Sequence, residues 1–185
     1  MKLIWKMVLP LPVLAAAFCG IAYRLPTQVQ AEHRVVLRVS PEQVYPYLNN
    51  PMEWPKWSAL SKAADPSIIY LYGGPMTGVG ARMQWSGDKL GDGSLQLTAS
   101  TSPNSIAYVQ RETSLPDSVF GEFTLTPATG GTEVTWRQTS AIGTNPLDRY
   151  VGLYRQYKKQ QEVEQGLEGL KMLVLQNAKR SASKD

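Results

Sequence analysis

The chain has 185 residues, 43% of them hydrophobic, which points to one core-forming domain with an appendage and excludes intrinsic disorder. Its net charge of +4 does not mark a nucleic-acid binder: Lys2, Lys6 and Arg24 precede the first acid, Glu32, and the remaining sixteen basic and fifteen acidic residues form no basic stripe. A single cysteine, Cys19, and a single histidine, His33, exclude an intradomain disulfide, a thiolate or polyhistidine metal site and a Ser-His-Asp or Cys-His pair in the domain body.

Residues 7–23 carry no charge and follow Lys2 and Lys6. As a helix, these seventeen residues would span about 26 Å, against a hydrocarbon core of about 30 Å. Residues 3–6, with Lys6 snorkelling, make up the shortfall and give a membrane segment over residues 3–23. Trp5 and Tyr23 sit where interfacial aromatics belong. The two lysines keep the N-terminus cytoplasmic, so the expected location is the inner membrane of a bacterium, single-pass, with the domain on the periplasmic side. Two other fates stay open: a signal peptide cut after Val29-Gln30-Ala31, and a lipid-modified Cys19. The expected division is an anchor and linker over 1–31, a ligand-binding domain over 32–180 and a disordered tail over 181–185.

Residues 34–39 are β-branched and weakly alternating, a first strand. Ser40 then serves as N-cap and Pro41 as first residue of a short helix with Val44, Tyr45 and Leu48 on one face, ended at Asn49-Asn50-Pro51. Trp54-Pro55-Lys56-Trp57 forms a second helical piece whose tryptophans plug one end of the core. Strand candidates follow at hairpin spacing over 67–72, 81–86, 93–101, 105–113, 119–126 and 133–139. Turn-rich breaks separate them, among them Gly73-Gly74-Pro75, Ser102-Pro103-Asn104, Leu115-Pro116-Asp117 and Thr129-Gly130-Gly131.

The chain from Asn145 onward is helical, with Asn145 as N-cap, Pro146 at the first position and Asp148 at the positive dipole end. Leu147, Tyr150, Val151, Tyr154 and Tyr157 form an apolar stripe, and Val163, Leu167, Leu170 and Val174 are read as continuing it. Gln160 and Gln161 interrupt the stripe, so a bend is expected there. Gly166 and Gly169 each cost about 1 kcal/mol relative to alanine, which implies close approach to the sheet or room kept open over a cavity. The pattern is α+β: a curved antiparallel sheet of about seven strands around one long C-terminal helix, plus an N-terminal transmembrane helix.

Alternation places Met83 with Trp85, Ile106 with Tyr108, Gln110 and Glu112, and Val134 with Trp136 and Gln138 on one face, aromatic at one end and polar at the other. The opposite face, with Arg82, Gln84, Gln96, Thr98, Arg111 and Arg137, is solvated. A ligand cavity is expected between sheet and helix, lined by Met83, Trp85, Leu97, Tyr108, Gln110, Glu112, Phe123, Trp136, Gln138, Tyr154, Leu167 and Leu170. No catalytic residue is assigned. Glu112 is the one candidate acid–base group, oriented by Tyr108 and Gln138. No metal, cofactor or nucleic acid is implied.

The run Val39-Ser40-Pro41-Glu42-Gln43-Val44-Tyr45, then Trp54-Pro55-Lys56-Trp57-Ser58, resembles the opening of the START-like, Bet v 1-like (SRPBCC) superfamily, whose bacterial members are often labelled polyketide cyclase/dehydrase-like. Gly78-Val79-Gly80-Ala81-Arg82-Met83-Gln84-Trp85, Gly131-Thr132-Glu133-Val134-Thr135-Trp136 and Gly166-Leu167-Glu168-Gly169-Leu170-Lys171 resemble the rest, over roughly residues 32–178. The resemblance implies a helix-grip fold with its cavity between sheet and long helix, and transfers no catalytic residues. Three functions stay open. The first is membrane-anchored binding of a hydrophobic small molecule or lipid. The second is a cyclase- or hydratase-type enzyme using Glu112. The third is an envelope interaction module presenting Tyr70-Leu71-Tyr72 or the 73–80 loop.

Overall fold

The computed structural model of the protein describes residues 10–114 and 117–182, which hold eleven elements. Helix α1 (Pro10–Ala22) leads into β1 (Gln28–Leu37), α2 (Pro41–Leu48) and a 3-10 turn (Pro51–Lys56). Then come β2 (Ile69–Gly73), β3 (Arg82–Ser86), β4 (Gly93–Thr101), β5 (Ser105–Glu112), β6 (Val119–Ala128), β7 (Gly131–Ala141) and α3 (Pro146–Ala182). The seven strands form one sheet in the order β1-β7-β6-β5-β4-β3-β2, and every neighbouring pair is antiparallel. A register shift between Leu97 and Ala99 marks a bulge in β4, a device that bends a strand. The α+β sheet-and-helix architecture expected from the sequence is therefore present.

The strands fall where alternation and turn chemistry put them, with one difference. β1 begins at Gln28, inside the segment read as linker, and pairs with β7 from Gln28–Ala141 to Leu37–Thr132. Residues 28–33 are too polar to announce a strand, but a long partner in β7 supplies the ladder. Val29 and Ala31 are buried within it, so a cut after Val29-Gln30-Ala31 would remove four paired residues of an edge strand. Lys2, Trp5 and Lys6, the Leu115-Pro116 turn and residues 183–185 of the expected tail lie outside the described residues.

Helix α2 starts as its sequence dictates: Gln43 Oε1 accepts from the Ser40 backbone N–H at 3.1 Å. Trp54 and Trp57 then reach back, donating to the carbonyls of Leu48 (3.0 Å) and Tyr47 (3.2 Å). That fixes both indoles over the sheet. Trp54 meets Tyr108 edge-on at 4.9 Å, Trp57 meets Trp136 at 5.7 Å, and Phe123 stacks on Trp136 at 4.9 Å.

The second half of α3 closes this aromatic layer with Val163, Leu167, Leu170 and Val174, all buried. A Cβ on Gly166 would run into the Trp136 ring, and one on Gly169 into the Trp57 carbonyl. Close approach, not reserved space, is therefore why this helix tolerates two glycines. α3 runs unbroken through Gln160-Gln161 as one helix of 37 residues. Gln156 and Gln160 instead face the edge strand. Each donates through Nε2 and accepts through Oε1, Gln156 with the backbone of Gln30 and Gln160 with that of Glu32.

The apolar N-terminal segment enters the described residues as α1, 13 residues long. Among the described residues, no helix is long and apolar enough to cross a membrane.

Candidate ligand site

The space beneath the second half of α3 is taken up by Trp54, Trp57, Tyr108, Phe123 and Trp136. A cavity of about 230 Å³ opens instead at the polar end of the inner face. Trp85 on β3, Gln110 and Glu112 on β5, and Ser140 and Ala141 at the end of β7 form one wall. Ala59, Leu60, Leu90 and Asp117 come from loops, and Arg155, Lys158, Lys159 and Glu162 from α3.

Lys159 organises this end. Its side chain is only 12% exposed, and its Nζ lies 3.1 Å from Glu112 Oε1 and 2.8 Å from Glu162 Oε2. Burial works against its charge, but the two carboxylates outweigh burial and hold its pKa above the ordinary value. Gln110 Nε2 donates to the same Glu112 oxygen at 2.9 Å. Behind this layer, Tyr108 Oη accepts from Trp136 Nε1 and Gln138 Nε2, both at 2.9 Å, and Gln138 also reaches Glu162 at 3.4 Å. Burial pushes the Tyr108 phenol far up, so it stays neutral and serves as a hydrogen-bonding group. A polar network thus runs from the aromatic core to the cavity wall.

Among the described residues, two buried polar atoms in this region find no hydrogen-bond partner: Trp85 Nε1 and Gln138 Oε1. Trp85 lines the cavity directly. A buried indole N–H without an acceptor costs free energy, on the order of 1–3 kcal/mol.

Asp65 holds the loop side of the site. It is buried and accepts from Ser67 N (3.0 Å), Ser67 Oγ (2.6 Å), Lys89 N (2.7 Å) and Leu90 N (3.0 Å). The Ser67 hydroxyl first, then the backbone donors, keep its carboxyl well below the usual range. The carboxylate thereby ties the segment after the 3-10 turn to the β3–β4 turn, which carry the wall residues Leu60 and Leu90.

The twelve expected cavity residues divide three ways. Trp85, Gln110 and Glu112 line the cavity. Met83, Leu97, Tyr108, Phe123, Trp136, Gln138, Leu167 and Leu170 are buried in the packed interior. Tyr154 is 61% exposed and faces away from the sheet. Glu112 meets Lys159, a partner the sequence reading did not name.

That reading also missed Lys159, Glu162 and Arg155. A signal for Lys159 was present: stepping back four residues from Val163 along the buried face reaches it. Leu71 and Tyr72 of the proposed interaction segment are exposed on β2, an edge strand. Among the described residues, no three His, Cys, Asp or Glu side chains come together to hold a metal ion.

A family model described as polyketide cyclase / dehydrase and lipid transport matches residues 28–174. No curated protein matches the chain. Among solved structures, a protein of unknown function, SA2116 from Staphylococcus aureus, is similar with a TM-score of 0.66 at 12% identity, over 82% of this chain and 96% of that one. Ara h 8.0201 is similar with a TM-score of 0.55 at 17% identity, over 80% and 99%. The di-domain ARO/CYC StfQ from the steffimycin biosynthetic pathway gives 0.62 at 16% identity over 82% of this chain, which spans about half (52%) of that protein. At these identities the likeness is one of fold, and it supports the helix-grip, Bet v 1-like assignment.

Proposed function

The chain belongs to the polyketide cyclase / dehydrase and lipid transport family, and from that premise we propose that it binds a small, neutral, mostly apolar molecule at the Lys159 end of the sheet. The observation that carries this reading is the cavity of about 230 Å³, lined by Trp85, Leu60 and Leu90 beside the Gln110–Glu112–Lys159 cluster. Its size falls between the roughly 150 Å³ that holds benzene and the roughly 300 Å³ at which drug-sized pockets begin. One ring or a short acyl chain fits that range. Charge in the wall is balanced, with Glu112, Asp117 and Glu162 set against Arg155, Lys158 and Lys159. A neutral guest with one acceptor oxygen suits this wall better than an ion does. The uncharged N-terminal segment supports tethering to a membrane, with the domain on the extracytoplasmic side.

Titration with acetophenone, one ring and one carbonyl, tests the reading. Saturable change in tryptophan fluorescence, abolished by Leu90→Phe, is the expected result. No saturable change, together with no co-purified guest in native mass spectra of the extracted protein, rejects it.

Glu112 on the cavity wall favours a second reading, an acid–base step on a bound guest. Turnover of a guest that survives Glu112→Gln unchanged removes that role.

A further inference from the structure

Two apolar faces of α3 point in opposite directions. Val163, Leu167, Leu170 and Val174 are turned to the sheet and buried. Leu147, Val151 and Tyr154 are 60%, 47% and 61% exposed, at spacings of four and three. Nine positions separate Tyr154 from Val163, about two and a half turns, which is the far side of the helix. In the first half the inward side is polar. Arg149 donates to the Leu25 carbonyl (3.0 Å), Gln156 and Gln160 bond β1, and Lys159 joins Glu112 and Glu162. Amphipathicity is inverted there: polar groups meet the protein and apolar groups face out.

We propose that this outward face of α3, centred on Leu147, Val151 and Tyr154, rests on the surface of a lipid bilayer. Three observations select that occupant. The uncharged N-terminal segment is already seated beside the face: Phe18 stacks on Tyr150 at 4.4 Å, and the Tyr150 hydroxyl donates to the Phe18 carbonyl at 2.9 Å. Its own Leu14 and Ile21 are 65% and 57% exposed, so the apolar surface continues across both helices. From Arg149 to Gln161 the helix carries no acid, and its two basic residues not engaged on the inward side, Arg155 and Lys158, complement anionic headgroups.

Tyrosines at positions 154 and 157, beside Lys158, are the side chains that bridge acyl chains and headgroups. Arg155 and Lys158 also line the cavity, so its rim lies against the same interface. The inference deepens the tether in the preceding reading by naming the surface that meets lipid, and it does not require the cavity to be filled.

The full chain with Cys19→Ala, carrying Tyr154→Cys or, on the outer sheet face, Thr98→Cys, is labelled with an environment-sensitive fluorophore. It is reconstituted in vesicles containing phosphatidylglycerol and headgroup-nitroxide lipid. Near-ultraviolet circular dichroism of the tryptophan cluster checks the fold, and Val151→Cys replaces Tyr154→Cys if that variant fails the check. The label on α3 is expected to be quenched by the nitroxide lipid and to lose most of the iodide quenching seen at position 98.

Iodide quenching equal to that at position 98, in protein that floats with the vesicles, overturns the surface while leaving the tether. Failure to float overturns both. Protection from iodide without lipid quenching means that protein covers the stripe, as a second copy or another part of the chain, and also overturns the proposal.

Discussion

The two halves of α3 have similar apolar content and opposite environments. The half carrying Val163, Leu167, Leu170 and Val174 closes the core, and the half carrying Leu147, Val151 and Tyr154 leaves its apolar residues in solvent. The difference lies in what the sheet offers each half. The second half faces the aromatic layer, where apolar burial contributes roughly 25 cal/mol per Å². The first half faces the polar end of β5 and the backbone of β1, which it meets through the Lys159–Glu112 ion pair and the Gln156 and Gln160 hydrogen bonds. Hydrophobic content alone therefore does not say which face of a helix is inside; the neighbouring surface does.

The largest expected effect breaks the buried half. Leu167→Ala should lose about 2–5 kcal/mol of stability, measured by urea unfolding followed by tryptophan fluorescence. At the junction of the halves, Lys159→Met leaves Glu112 and Glu162 without their shared cation and should lose about 1.5–3 kcal/mol. A loss as small as that of a surface site would show that the triad is a solvated pair of contacts.

Gly169→Ala should destabilise by about 1–3 kcal/mol through the Trp57 carbonyl, although helix propensity alone predicts a gain of about 1 kcal/mol. A measured gain would mean the helix stands off the sheet. Tyr154→Ala, in contrast, should change stability by no more than about 0.5 kcal/mol in the absence of lipid. A larger loss would show that the first half also packs.

The smallest effect concerns pH. Asp65 has its carboxyl lowered from an ordinary 3.8, so its ties to Lys89 and Leu90 are at full strength above that value. They weaken progressively as pH falls below it, because the unfolded chain then binds the proton more readily than the native state does. Hydrogen exchange at the Lys89 and Leu90 amides should accelerate between pH 4 and pH 2 relative to core amides of β6. Asp65→Asn should show that looseness already at pH 6.

Much of the sheet was legible. Alternation at Met83–Trp85 and from Ile106 to Glu112 gave the inner face directly, because a strand has only two sides and a period of two cannot drift. Turn residues fixed where strands end. Residues 28–33 stayed illegible since their strand is imposed by β7, not by their own propensity.

The candidate site was legible in part. Trp85, Gln110 and Glu112 share the inner face by alternation and meet at the cavity. Lys159 and Glu162 arrive from a helix some fifty residues away in sequence, and Leu60 and Leu90 from loops held by Asp65, a contact no periodicity encodes.

Local pattern and turn chemistry, readable from the sequence, settled the number of strands, their inner face, the starts of α2 and α3 and the apolar positions along the last helix. Packing alone decided which of those positions meet the core and which face out, that Gly166 and Gly169 serve contact and that the cavity sits at the polar end. The physical reason is that a helix is amphipathic only relative to what it touches, and the surface it touches is assembled from strands far apart in the chain.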